Sequence, residues 1–180
     1  IGVEHLVRPR LVVRHGLDQW YIRYLAEVHH VGTASFGYVL TAFGLPIAAV
    51  GGSYLAGWMS DKVFASRRGP AAALMYFGQF VMLIVFTQFS GPLLSPILLI
   101  VVQVFVNGPH SLLGGAAAMD FGGRKGAGLA SGFIDAWQYI GAGLVAGGGM
   151  GGILGRFGWS GWIVTLVGFA LLGGIAMTTL

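Results

Sequence analysis

The chain has 180 residues, of which 56% are hydrophobic and 9% charged, with a formal net charge of +4 and no cysteine. A soluble domain normally carries about a quarter charged residues, so a water-soluble globular protein is excluded. The basic residues are few and scattered between apolar runs, which argues against nucleic acid as a partner and for loop charges that set membrane topology.

The first ten residues, IGVEHLVRPR, contain Glu4, His5, Arg8, Pro9 and Arg10 and read as an irregular N-terminus (residues 1–10). They show no basic segment leading into a short apolar core, so no cleavable signal peptide is expected. A first span covers residues 11–28. It holds RHGLDQWY, which sets Arg14 and Asp18 four residues apart, on one helix face. No charged residue occurs between Val31 and Ser60, or between Gly69 and Met119. An uncharged apolar run of about 18 residues or more is long enough to cross a hydrocarbon core of about 30 Å as a helix.

These runs place spans at 31–58, where Pro46 is expected to bend the helix, and at 70–89. SGPLLSP (90–96) is a turn whose prolines and glycine act as breakers. Further spans follow at 93–119, 126–154 and 159–180. The loop GWMSDKVFASRRG carries Lys62, Arg67 and Arg68 against Asp61, and DFGGRKG carries Arg124 and Lys125 against Asp120. The positive-inside rule makes both loops cytoplasmic, with the termini on the same side, where Arg8 and Arg10 agree.

In the fifth span Gly143, Gly147, Gly151 and Gly155 recur every four residues. Such a ladder reads either as a face for close helix contact or as a weakly helical, flexible stretch. Trp20, Trp159 and Trp162 fall near span ends and are expected to be interfacial anchors. His29 and His30 sit in a short outer loop without further ligands nearby, so no metal site is expected there.

GWMSDKVFASRRG resembles the glycine–three residues–aspartate–basic loop signature of the major facilitator superfamily. Its longer DKVF…RRG form resembles that of the organophosphate:phosphate antiporter family, which includes glycerol-3-phosphate and hexose-phosphate transporters. The physics of the loop is legible. Gly57 allows helices to approach, Asp61 can pair with a basic residue or a helix N-terminus, and Arg67 and Arg68 anchor the loop among head groups. Other segments resemble the same family in order: VVRHGLDQWYIRYLAE its seventh helix, NGPHSLLGGAAAMDFGGRKGAGLASGF its tenth and the loop after it, YIGAG its eleventh, and RFGWSGW the start of its twelfth.

The resemblance implies an all-α membrane protein: a six-transmembrane-helix C-terminal half (residues 11–180) whose N-terminal six-helix half is missing. Residues 1–10 depart from the family pattern, which implies either a truncated first helix or a non-native start. The resemblance also makes Arg14 the seventh-helix arginine that clamps a substrate phosphate together with an arginine of the other half. Guanidinium suits this because it stays charged and grips phosphate oxygens in parallel. Asp18 either neutralises Arg14 between substrates or merely makes its insertion tolerable.

Asn107 and His110 flank Gly108–Pro109, where a helix break frees backbone groups to line a cavity; Asn107 reads as a substrate contact, and His110 as a substrate contact or as a buried, satisfied histidine. Asp135 shapes substrate choice, couples a proton, or bonds a neighbouring helix. Tyr139 matches a cavity-facing tyrosine. The implied function is exchange of an organic phosphate for inorganic phosphate by alternating access in the inner (plasma) membrane. No cofactor and no covalent chemistry are expected. The rivals are a transporter-like hexose-phosphate sensor and a proton-coupled facilitator of a non-phosphorylated solute.

Overall fold

The computed structural model describes residues 4–143 and 148–178, with side chains throughout 13–115 and at most positions beyond. The side chains of Arg8, Arg10, Asp120, Arg124 and Lys125, and the whole of Gly147, lie outside the described part. The elements in order are α1 (Glu4–His29), α2 (Phe36–Lys62), α3 (Arg68–Gln88), α4 (Leu94–Ser111), a π-helical turn (Leu112–Ala116), α5 (Ala117–Ala142) and α6 (Met150–Thr178). No strand occurs among the described residues. The architecture is all-α, as expected.

Two of these helical stretches are each folded back on themselves. Gly123 has φ 58° and ψ −174°, and Gly158 has φ 62° and ψ −162°. Glycine adopts this region at no steric cost, whereas a side chain would strain it. The contacts show that the chain reverses at both points. The Ser131 hydroxyl donates to the Gly114 carbonyl at 3.4 Å, although 17 residues of unbroken helix would hold them about 25 Å apart. Likewise the side chains of Met150 and Leu166 both lie against Gly16. The helical segments are therefore 4–29, 36–62, 68–88, 94–122, 124–143, 148–157 and 159–178.

Their ends have local causes. Ser35 caps α2, its hydroxyl accepting the Tyr38 N–H at 3.3 Å, so the second traverse starts later than expected. α2 then runs on to Lys62 and absorbs Asp61 into its last turn. The first helix begins at Glu4, not after residue 10. Pro9 falls near enough to the helix start that it removes a single backbone bond.

Packing is built on small residues. α2 lies along α4, α3 contacts α4 and α6, and α1 contacts α4, α5 and α6. The buried face of α2 reads Gly37, Thr41, Leu45, Ala48, Gly52, Ala56 and Ser60, a stripe with steps of four or three residues. A Cβ on Gly52 would run into the backbone of Val104, and one on Gly44 into Ile100. On the opposite face Phe43, Ile47, Val50 and Tyr54 are 71–77% exposed. In hydrocarbon such a face matches its solvent, and association relies on close backbone approach. Four helices, Phe36–Lys62, Arg68–Gln88, Leu94–Gly115 and Met150–Thr178, are long and apolar enough to cross a membrane. The chain is a multi-pass membrane protein.

The close approach expected of other glycines is absent. A Cβ on Gly57, Gly143 or Gly155 would meet nothing, and Gly151 faces only the Trp20 ring at 3.9 Å. Among the described residues, Gly143, Gly151 and Gly155 meet no helix backbone and make no tight seam, and Gly147 lies outside them.

This contrast is testable. Gly52→Val should lower the melting temperature of the full-length protein in detergent, by an overpacking cost of about 1–3 kcal/mol. Gly57→Ala should leave it within error. Equal melting temperatures for the two variants would contradict the assigned helix seam.

Candidate functional site

α1 carries two opposed faces. Gly16 is two residues from both Arg14 and Asp18, a rotation of about 200°, so it points away from them. The Trp162 indole N–H donates to the Gly16 carbonyl at 2.9 Å. Tyr24 stacks on Trp162 and meets Trp159 edge-on, both with ring centroids 5.2 Å apart. These contacts lock the rotation of α1 against α6 and turn Arg14 and Asp18 toward α4. Trp162 is therefore no interfacial anchor: it is 1% exposed and packs the core. Trp159 donates to Glu27 at 3.1 Å, and Glu27 pairs with Arg23 at 2.6 Å.

On α4, Gln103, Asn107 and His110 follow one another at i, i+4 and i+7, a polar stripe in an otherwise apolar helix. Pro109 lacks an N–H, and the π-helical turn begins three residues later. Such widened turns re-aim backbone groups and recur at functional sites. Gly108 permits the contact with Met75 and Ala56 that seats this part of α4.

The two stripes meet in one network. Arg14 Nη1 hydrogen-bonds His110 Nε2; guanidinium has no acceptor, so the ring nitrogen facing it carries the lone pair. Arg14 Nε lies 3.7 Å from Asp18 Oδ2, an ion pair too long for a hydrogen bond, and this nitrogen is buried without a hydrogen-bond partner. The Gln103 amide N–H donates to Asp18 Oδ1 at 3.0 Å. Asn107 donates back to the Gln103 carbonyl at 3.1 Å. Arg14 and Asp18 keep 28% and 34% of their side-chain surface accessible, so the pair is open on one side and covered on the other.

The expected residues are thus partly reunited. Arg14, Asp18 and His110 form the cluster. Asn107, 6% exposed, sits beneath it and spends its amide N–H on the Gln103 backbone; it supports the site from behind. Tyr139 is 68% exposed and its ring lies 5.8 Å from His15, next in sequence to Arg14. Asp135, one turn earlier on α5, is half-buried. Gln103 was not expected from the sequence, although the 103–107–110 spacing marks it.

The basic loop stands elsewhere. Asp61 accepts a hydrogen bond from the Ser66 hydroxyl at 3.4 Å, and the Ser66 N–H donates to the Ser60 carbonyl at 2.7 Å. Ala65 and Ser66 both have positive φ, 50° and 65°, a conformation costly for residues with a Cβ. Arg67 is exposed and precedes α3, while Arg68 is its first residue. Strain in a short loop between two traverses is consistent with a segment held by function.

No family model matches the chain. It is 33% identical over 164 residues to the glycerol-3-phosphate transporter of Bacillus subtilis (strain 168), covering 89% of this chain and 36% of that protein. It is 31% identical over 163 residues to a probable hexose phosphate transport protein of Chlamydia pneumoniae, covering 88% and 35%. It is 32% identical over 159 residues to the membrane sensor protein UhpC of Escherichia coli (strain K12), covering 86% and 35%. Over most of its length the chain is thus similar to glycerol-3-phosphate and hexose phosphate transport proteins, in line with the resemblance read from the sequence. It spans about a third of the length of these relatives.

Removing one partner of a half-buried pair strands the other. Asp18→Ala should destabilise the full-length protein by about 1–2 kcal/mol, reduced from the fully buried case because the pair is partly open. Adding Arg14→Met should recover most of the loss. Thermal melts of both variants check this, and no recovery in the double variant would mean that the two charges are not coupled.

Proposed function

We propose that the chain is the C-terminal half of a transporter that exchanges an organic phosphate for inorganic phosphate. The carrying observation is Arg14: a half-buried guanidinium where α1 meets the apolar α4, held by His110 on one side and loosely by Asp18 on the other. An arginine at membrane depth costs about 3 kcal/mol on insertion scales and marks a substrate path or a pairing site. The loose 3.7 Å contact with Asp18 and the 28% of the Arg14 side chain that stays accessible leave the guanidinium open to an incoming oxyanion. Phosphate then receives two charge-assisted bonds in place of one weak ion pair.

The second half of the transporter supplies the opposing arginine and closes the site from the other side. Rocking of the halves about the midplane exposes Arg14 to each side in turn. With phosphate absent, Asp18 neutralises Arg14, so the empty carrier moves a smaller net charge. Asp61, Arg67 and Arg68 form the cytoplasmic loop that reseats as the halves rock, and the protein resides in the plasma membrane with its basic loops inside.

The sensor reading rests on one observation: the similarity to UhpC, named a membrane sensor protein, equals that to the named transporters. Binding at Arg14 is common to both readings; exchange is not.

In proteoliposomes holding the full-length protein, labelled inorganic phosphate should exchange against unlabelled phosphate and against phosphate esters. Arg14→Lys should reduce the exchange by at least about a hundredfold, since a point charge does not reproduce the planar fork. Exchange that survives this substitution would refute the phosphate clamp. Phosphate binding without counterflow in the parent protein would select the sensor.

A further inference from the structure

Gln103 carries an unsatisfied acceptor at the site. Its side chain is 5% exposed, its amide nitrogen donates to Asp18 Oδ1 at 3.0 Å, and its Oε1 is buried with no hydrogen-bond partner. A buried polar atom left unpaired is costly, and among native structures such atoms are few enough to need an explanation. The amide is pinned at its nitrogen, which donates to the carboxylate. Turned over, it would set its oxygen against Asp18, where two acceptors repel. Oxygen and nitrogen share one carbon, so Oε1 lies beside the Asp18 carboxylate, whose other oxygen faces Arg14.

We infer that Gln103 Oε1 is the acceptor for a substrate hydroxyl and makes Gln103 a specificity-determining residue. This rests on the phosphate-binding reading of Arg14 and deepens it. The chemistry selects the donor. An oxyanion is repelled by an amide oxygen and is held by Arg14, whereas a hydroxyl supplies the missing hydrogen. Two hydroxyls meet this requirement: a C–OH of the organic part of a phosphate ester, and the P–OH of a singly protonated phosphate. Asp18 links the two functions. Its carboxylate is shared between the Arg14 guanidinium and the Gln103 amide, so a phosphate that displaces Asp18 from Arg14 leaves it bonded to Gln103, and the amide keeps its aim.

Binding of three probes to the full-length protein in detergent tests this: inorganic phosphate, glycerol phosphate, and propyl phosphate, which has the same chain length without hydroxyls. Each is titrated against the parent protein and against Gln103→Met, which keeps length and removes both polar atoms. The ligand-free melting temperature is recorded for both proteins. If the donor is C–OH, the affinity of the variant for glycerol phosphate falls by about tenfold more than its affinities for inorganic phosphate and propyl phosphate, so that it binds glycerol phosphate and propyl phosphate alike. If the donor is P–OH, affinity for all three falls by a similar factor while the melting temperature stays within error.

Unchanged affinities for all three probes would overturn the inference. So would a uniform loss accompanied by a lower melting temperature, which assigns Gln103 to packing alone. Failure of the parent protein to bind any of the three would instead count against the phosphate reading of Arg14, so the two ideas fail separately.

Discussion

A guanidinium packed between helices of a membrane protein has few places to go. Arg14 cannot lose its charge, and lipid offers it no partner. The structure meets this constraint by building two polar stripes that face each other across α1 and α4. Asp18 supplies the counter-charge, His110 an uncharged acceptor, and Gln103 holds Asp18 in place. Much of the rest of the half-domain serves to keep these stripes opposed. Trp162 and Tyr24 fix the rotation of α1 from behind, and Gly52 and Gly44 let α2 press α4 from its far side.

The pair is held loosely by design of its geometry. A tight two-bond contact between Arg14 and Asp18 would compete with any anion. At 3.7 Å, with both side chains about a third accessible, the ion pair is screened and weak, while the His110 bond keeps the guanidinium aimed. In the proposed exchange, a phosphate arriving on the open side meets an arginine that is oriented but not saturated. The Arg23–Glu27 contact at 2.6 Å on the exposed part of the same helix is tighter by contrast.

Four apolar helices were legible in the sequence, among the described residues, because lipid imposes a length and an apolar composition on each of them. The turns were legible too: Gly123 and Gly158 reverse the chain where DFGGRKG and RFGWSGW fall. What lay opposite each residue was not legible. Glycines every four residues permit close contact only if a partner backbone arrives. That partner reached Gly52 on α2 but not Gly143 or Gly155. Trp162 looked like an interfacial residue because tryptophans at span ends usually are, yet its N–H found a buried carbonyl. Arg14, Asp18 and His110 were visible as polar residues in apolar runs. Asn107 was visible for the same reason, but only the fold reveals that its amide serves Gln103. Glutamine draws less notice than a charge, and Gln103 needed the neighbouring helix to show its role.

Chemical reactivity at Arg14 itself probes the central idea most directly. The full-length protein in membranes would be treated with an arginine-selective dicarbonyl reagent, and modification at Arg14 read by mass spectrometry with and without inorganic phosphate, with chloride as the control anion. The Arg14 clamp predicts that the residue reacts in the empty protein and is protected as phosphate saturates, while exposed Arg67 reacts equally in both conditions. Equal modification of Arg14 with and without phosphate would contradict it.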